Sequence, residues 1–386
     1  MLLSRSLRAA TTASRHGIKQ PWTVASAVNV PLPPVPSSVA TSSSFVSFST
    51  SSSNSGLDTV AVCGLGLMGH GIAQVAAACG AHSKVIAYEP QENFLQTGKD
   101  RIAASLGKLV KKEKLSQDQM DTILQQTLHF TTNMDDLASA DLVVEAVIEN
   151  LDLKKNLYEQ LDTICQPSCI LASNTSSLPI KDMAAFTKRP ANVCGIHFFN
   201  PVQLMKLVEI IHTDDTDPAI IDKVTKVRGW GITVYSVEAQ GKLQVILTYL
   251  ILLSFCYLAS KWVNDDLRKV SVHCGDTPGF IVNRLLVPSL MQAMLMVDRQ
   301  DATVADIDVS LQLGAGHPMG PLHLADYIGL DTCYYIVQGW VEKYPNEPAF
   351  VIPQCLKAKV EAGDLGRKSG KGFYHWDKDK RLDPVE

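Results

Sequence analysis

Residues 58–79 read DTVAVCGLGLMGHGIAQVAAAC. A short β-branched run leads into Gly64, Gly66 and Gly69, the pattern G-x-G-x-x-G, and this pattern opens an alanine-rich, helix-like run. Three glycines at this spacing are a weak signal alone; between a strand and a helix they predict a dinucleotide-binding turn. Gly64 permits the tight turn, Gly66 lets the backbone approach a pyrophosphate, and Gly69 lets helix and strand pack closely. The first turn of the helix then offers free N–H groups and the positive end of its dipole to phosphate. Leu67 and Met68, inside the same loop, are expected to touch the cofactor as well.

A second strand-like run, KVIAYE, ends in Glu89, twenty positions after Gly69. An acid there is placed for the adenosine ribose hydroxyls and repels a 2′-phosphate, so NAD is expected over NADP. Residues 90–127 are polar and Lys-rich, with Ser105, Lys108, Lys111, Lys112 and Lys114 clustered, and read as one or two exposed helices. A solvated face is the plain interpretation. A site for a phosphorylated ligand such as coenzyme A is the functional one, since Lys serves as a point charge for phosphate.

Three further strand-like runs end in polar residues. DLVVEAVIEN carries Glu145 and Glu149, CILASNTSS ends in Asn174, Thr175, Ser176 and Ser177, and VCGIHFFNP carries His197 and Asn200. Their alternation with helix-like stretches such as LDLKKNLYEQLDTI predicts parallel βαβ units. Ligands of open α/β sheets bind beyond the carboxyl ends of the strands, so Ser176, His197 and Asn200 are expected on the cofactor side. The next apolar run, KLVEII, brings Glu209. A lone His at a strand end is more often structural, but several polar groups at corresponding strand ends favour a site. His197 with one nearby carboxylate is the simplest acid/base unit.

The chain of 386 residues suits two domains plus extra segments. A net charge of -4 gives no reason to expect nucleic acid as a partner. Nine cysteines without a repeated C-x-x-C spacing argue against a zinc site or a disulfide framework and fit a reducing compartment. Residues 1–57 differ in kind: Arg5, Arg8, Arg15 and Lys19 are basic, no Asp or Glu precedes Asp58, and Ser and Thr abound up to SFSTSSSNS. That is the composition of a mitochondrial transit peptide, with a plain disordered tail as the alternative. From Gly275 onward the pattern turns helical. Asp276 or Thr277 is expected to cap a long apolar helix, FIVNRLLVPSLMQAMLMV, with Pro278 at its first position and a kink near Pro288. His317 and His323 are expected in loops, and the tail GRKSGKGFYHW brings Lys368 and an aromatic end that can dock. The fold class is thus α/β: a Rossmann-type NAD-binding domain over residues 58–275, then an all-helical domain over 276–386 whose Met and Leu stripe is core or dimer face.

Together GLGLMGHGIAQVAA, DLVVEAVIENLDLKK, ASNTSSL, HFFNPVQLMKLVEII, DTPGFIVNRLLVP and LGAGHPMGPLHLADYIGLDT resemble the mitochondrial short-chain L-3-hydroxyacyl-CoA dehydrogenase family, over nearly the whole chain from Asp58. The resemblance implies NAD-dependent oxidation of 3-hydroxyacyl-CoA to 3-ketoacyl-CoA in fatty-acid β-oxidation, in the mitochondrial matrix, by a homodimer joined through the helical domain, so that this second domain serves substrate and dimerisation. It implies His197 as catalytic base with Glu209 as its partner, and Ser176 and Asn283 as hydrogen-bonding groups for the substrate oxygen and the His region. Glu89 stands where the family often has Asp. Glu149, Lys154, Asn200 and Lys368 match NAD contacts, and Ser105 and Lys112 match coenzyme A contacts. A 3-hydroxybutyryl-CoA dehydrogenase relative is the alternative.

One segment departs from the family. Deleting Ile232 to Arg268 would join GWG to KVSVHCGDTPGF and restore the family pattern. The segment contains LQVILTYLILLSFCYLA, residues 243–259, about the minimum apolar length for a membrane span. It is expected to be a non-native insert, such as a translated intron; a docked insertion and a membrane anchor, with an inactive or membrane-associated protein as its consequence, are the other readings. Protein lacking residues 232–268 is expected to retain NAD-dependent turnover.

Overall fold

Six crossovers and one short hairpin fix the order of an eight-stranded sheet. The computed structural model describes residues 56–213, 215 and 259–385, all within one compact unit, residues 46–386. Its strands are β1 (Thr59–Cys63), β2 (Lys84–Tyr88), β3 (Leu128–Thr131), β4 (Leu142–Glu145), β5 (Ile170–Ser173), β6 (Val193–Phe198), β7 (Leu207–His212) and β8 (Val270–Gly275). They lie in the order β3-β2-β1-β4-β5-β6-β7-β8. The chain winds outward from β1 through β2 and β3, then restarts on the other side at β4, which pairs with β1. The crevice where such an order reverses is where doubly wound sheets bind ligands.

Side chains alternate across the sheet with the period of a strand. Val60 and Val62 enter one apolar layer with helix α1 (Gly69–Ala78) and helix α2 (Glu92–Lys111). Ala61 and Cys63 enter the opposite layer with Leu157, Tyr158 and Leu161 of helix α4 (Leu151–Ile164). The short helix α3 (Gln117–Thr122) follows α2 and is closed by a reciprocal Ser116–Gln119 capping box.

Parallel pairing holds except at one place. β6 and β7 are antiparallel. Their connection, residues 199–206, is shorter than the dozen or so residues of a parallel crossover, so the chain can only turn back beside itself. The antiparallel register places His197 directly opposite Glu209.

The expected transit peptide lies outside the described residues apart from residues 56–57, and the apolar run 243–259 lies outside them apart from residue 259. Residues 259–268, read from sequence as the end of an insert, are part of the core. Ala259, Trp262, Val263 and Leu267 are buried against the first apolar layer, with Trp262 edge-on to Phe198 at 6.1 Å. Excising the whole of 232–268 would remove these side chains, so a seamless deletion is not what this packing leads one to expect. Among the described residues no helix is long and apolar enough to cross a membrane.

The helical part contains α6 (Val282–Asp298), α7 (Val304–Ala315), α8 (Pro321–Ile328), α9 (Leu330–Lys343) and α10 (Gln354–Glu361) around their own apolar core. It is not purely helical: β9 (Tyr374–Asp377) and β10 (Lys380–Pro384) form a terminal antiparallel hairpin. Its Phe373, Tyr374 and Trp376 dock into that core as the aromatic tail suggests. Buried Asp326 accepts the Phe373 and Tyr374 N–H groups and the Trp376 indole, each at 2.9 Å, and so ties the tail down. Three local expectations change. α6 starts at Val282, so Pro278 lies ahead of it rather than in its first turn. Asp276 caps a different helix, α5 (Ile180–Ala185), whose preceding Pro179 has no side-chain acceptor; it receives the Ile180 and Lys181 N–H groups at 3.0 and 2.9 Å. His323 belongs to α8, not to a loop.

His82 joins Leu57, just ahead of β1, to Trp262 near the end of the expected insert. Its Nδ1 donates to the Leu57 carbonyl at 2.7 Å, which leaves Nε2 to accept from the Trp262 indole N–H at 2.8 Å. Burial holds this imidazole below its ordinary value of 6.5. A histidine that resists protonation when folded binds its proton more readily when unfolded. Its contribution is therefore complete above pH 6.5 and is lost as pH falls through 6.5 toward the lower folded value. Chemical denaturation between pH 7.5 and 5.5 should show stability falling with acid, and falling less in His82→Gln; an equal loss in both proteins would contradict this role. Trp262→Phe, which strips the donor from Nε2, should cost about 1–3 kcal/mol at pH 7.5.

Candidate active site

The glycine loop is built for close approach. Gly64 has φ +90°, a conformation that L side chains rarely adopt, and its N–H donates to the Tyr88 carbonyl at 2.9 Å. A Cβ on Gly69 would sit 1.7 Å from the Gly64 carbonyl oxygen, whereas one on Gly66 would meet open space. Gly69 thus closes strand to helix, and Gly66 faces the region where a ligand backbone can lie. Glu89, just past β2, accepts the Leu65 N–H at 3.2 Å and lines a cleft of ≈ 930 Å³ with Gly64, Gly66, Tyr88 and Arg101. A second cleft of ≈ 420 Å³ shares Gly66, Ala146, Val147 and Ile148 with the first. Two hollows meeting at a glycine turn, one with a carboxylate at the end of β2, fit the two halves of a dinucleotide.

The second cleft gathers residues from four strand ends and one helix. Leu67, Met68, Glu149, Ser176, His197 and Asn200 line it, and Asn283 reaches it from α6. His197 is 6% exposed, flanked by the rings of Phe199 at 4.6 Å and Phe280 at 5.7 Å. Its Nδ1 lies 2.8 Å from Glu209 Oε2. Glu209 is fully buried, and its other oxygen, Oε1, accepts the Ile281 and Val282 N–H groups at 3.1 and 2.9 Å. A carboxylate can only accept from Nδ1–H, so the ring is held with its Nε2 lone pair available. Cys274, on β8, is no rival nucleophile: burial first, then the charges of Glu209 and Asp276, push its thiol up to about 12.

Ser176 sits on a loop fixed from one side. Glu149 Oε1 accepts the Ser176 N–H at 2.9 Å and the Thr175 hydroxyl at 2.8 Å, while Thr175 Oγ1 accepts the Ser177 and Leu178 N–H groups. Asn174 Oδ1 accepts the Phe198 N–H at 2.8 Å, which ties this loop to the end of β6.

Four residues singled out from the sequence are not brought to either cleft. Ser105 is half-buried on α2 and Lys112 is exposed at its end. Lys154 is 1% exposed, closed between Glu145 and Glu149. Lys368 is paired with Asp331 on the helical part. The structure also adds groups the sequence did not single out. The Ile281 and Val282 N–H groups carry no side-chain signal, and Asn174 was visible only as one of four polar residues at a strand end.

Comparison with known proteins matches this arrangement. Residues 59–232 match the description 3-hydroxyacyl-CoA dehydrogenase, NAD binding domain, and residues 279–376 match 3-hydroxyacyl-CoA dehydrogenase, C-terminal domain. The chain belongs to the 3-hydroxyacyl-CoA dehydrogenase family. Among its relatives, the mitochondrial hydroxyacyl-coenzyme A dehydrogenase of Mus musculus is 41% identical over 322 residues, 82% of this chain and 90% of the mouse protein. A 3-hydroxybutyryl-CoA dehydrogenase of Mycobacterium tuberculosis is 39% identical over 319 residues, 82% of this chain and 98% of that one. The crystal structure of an (S)-3-hydroxybutyryl-CoA dehydrogenase from Ralstonia eutropha superposes with a TM-score of 0.70 at 34% identity, covering 83% of this chain and 100% of that one. The two domain matches leave residues 233–278 between them, a span that includes β8 and the buried Ala259, Trp262, Val263 and Leu267.

In this family member Glu209 serves three donors with two oxygens. Glu209→Gln offers one carbonyl oxygen and an amide that faces either the His197 Nδ1–H or the helix N–H groups. We expect kcat to fall by about two to four orders of magnitude, as when a histidine loses its orienting carboxylate, and stability to fall by about 1–3 kcal/mol. Steady-state turnover and thermal melting of the purified protein measure both; a kcat within tenfold of the parent would contradict the orienting role.

Proposed function

We propose that the protein oxidises the hydroxyl of an L-3-hydroxyacyl-CoA to the 3-ketoacyl-CoA with NAD, as a step of fatty-acid β-oxidation, and that His197 is its catalytic base. The observation that carries this reading is the ring's fixed orientation: Nδ1 is committed to buried Glu209, and the histidine lines the cleft that begins at the glycine loop. Bound in these clefts, NAD would supply the acceptor for the hydride leaving C3. His197 Nε2 accepts the proton from the C3 hydroxyl, which requires neutral imidazole before transfer. Glu209, ionised beside it, stabilises the imidazolium that forms and keeps the ring from turning. Ser176 and Asn283 hold the substrate oxygen in line from opposite sides of the domain junction, a positioning contribution. Glu89 would hold the adenosine ribose, the glycine loop with Leu67 and Met68 the pyrophosphate, and Glu149 and Asn200 the nicotinamide end. Ser105 on α2 and Lys112 just past its end, outside both clefts, would take the coenzyme A phosphates.

Residues 58–275 and 276–386 are the two proposed domains. The second leaves Leu285, Val309, Leu313 and Tyr335 exposed, which supports a homodimer joined there. The acid-poor, Arg- and Ser-bearing leader, together with mitochondrial relatives, supports import into the mitochondrial matrix. A narrower substrate, 3-hydroxybutyryl-CoA, is supported by the bacterial relatives of that name, and a series of acyl lengths separates the two. Membrane association through residues 243–259 rests on their apolar composition alone, and fractionation of the full-length chain tests it.

His197→Gln decides the central role. Turnover of a short 3-hydroxyacyl-CoA should drop by about three orders of magnitude or more, while the NAD dissociation constant, measured by fluorescence titration, should stay within about threefold of the parent. Turnover retained within tenfold would show that another group takes the proton.

A further inference from the structure

Glu145 is the last residue of β4, fully buried, and no step above uses it. It joins the loop after β4 to the end of β5 and the loop after it, two of the segments that line the second cleft. Its Oε1 accepts the Val147 N–H at 2.9 Å and the Lys154 ammonium at 2.7 Å, and its Oε2 accepts the Ser173 hydroxyl at 2.7 Å. Its backbone carbonyl accepts the Asn174 N–H at 2.8 Å. Lys154 Nζ also lies 3.3 Å from Glu149 Oε2, and Glu149 Oε1 holds the Ser176 N–H and the Thr175 hydroxyl. One continuous path therefore runs from a carboxylate beneath the sheet's rim to the backbone of Ser176.

We propose that Glu145 is a positioning residue for the oxidation: through the buried Lys154 ammonium and the Glu149 carboxylate it fixes where Ser176 presents its hydroxyl. The proposal rests on the reading of Ser176 as a substrate-orienting group. Stability alone gives little reason for such a cluster, because a buried ion pair is often no better than well-packed apolar residues of the same volume. A charged hydrogen-bonded cluster in the low-dielectric interior instead favours one arrangement of the groups it joins. Three of the partners here are loop groups, the Val147 N–H, the Ser176 N–H and the Thr175 hydroxyl, and loops are the elements whose positions are otherwise least determined. Lys154 accordingly serves the cofactor side of the cleft from behind, through Glu149.

A double-mutant cycle in the full chain tests this. Ser176→Ala alone should lower kcat; if it leaves kcat within twofold of the parent, the role given to Ser176 fails and this proposal with it. Glu145→Gln alone should lower kcat by about tenfold with the KM for NAD changed by less than about threefold. In the Ser176→Ala background the same change should lower kcat by less than about twofold, because the group it positions is gone. Equal losses in both backgrounds would overturn the proposal while leaving the role of Ser176 intact, and a merely structural role would produce that additive result. Should Glu145→Gln not yield folded protein, the paired replacement Glu145→Gln with Lys154→Gln, which leaves no buried charge of its own, passes through the same cycle with the same two outcomes.

Discussion

A fully buried carboxylate must be neutralised by donors or it destabilises the fold by several kcal/mol. Glu209 meets that condition in a way that shapes the whole molecule. One oxygen takes the Nδ1–H of His197 across an antiparallel strand pair, and the other takes the first N–H groups of α6. Those helix N–H groups have no partner within the helix and sit at the positive end of its dipole, so they suit an anion. The same carboxylate therefore orients the base and fastens the helical part to the sheet. Asn283 follows those two N–H donors directly in sequence and arrives at the cleft as a consequence.

The two clefts divide the work between backbone and side chains. On the glycine side, shape dominates: a left-handed Gly64, a Gly69 with no room for a Cβ, and Glu89 held against the Leu65 N–H. On the His197 side, charge and hydrogen bonding dominate, with Glu209 beneath the ring and Glu149 beneath Ser176. In both cases an acid behind the reacting surface fixes a group in front of it. Glu209 does so from full burial, where water screens its charge little, whereas Glu149 does so from the exposed edge of the cleft.

Much of this was legible in the sequence because it is local. The glycine spacing, the acid after the second strand and the polar strand ends each follow from a few neighbouring residues. What the sequence hid is non-local. The parallel pattern did not reveal that β6 and β7 run antiparallel, although the short connection through Asn200 and Pro201 allows nothing else. Asp276 reads as a cap for the helix that follows it, yet its carboxylate is taken by α5, far back in the chain. Residues 259–268 look foreign when compared by motif, because nothing in their order shows that Trp262 fits between Phe198 and His82. Lys154 matches a cofactor contact by motif, and nothing in that motif shows that the fold closes it between Glu145 and Glu149.

With Nδ1 committed to Glu209, Nε2 is the ring nitrogen of His197 that can meet a substrate oxygen. The most direct measurement is a crystal structure of the full chain with NAD and a 3-ketoacyl-CoA. The C3 oxygen should lie about 3 Å from His197 Nε2, with Nδ1 still on Glu209 and the Ile281 and Val282 N–H groups still on its other oxygen. A C3 oxygen out of reach of Nε2, or a Glu209 turned away from the ring in that complex, would contradict the account.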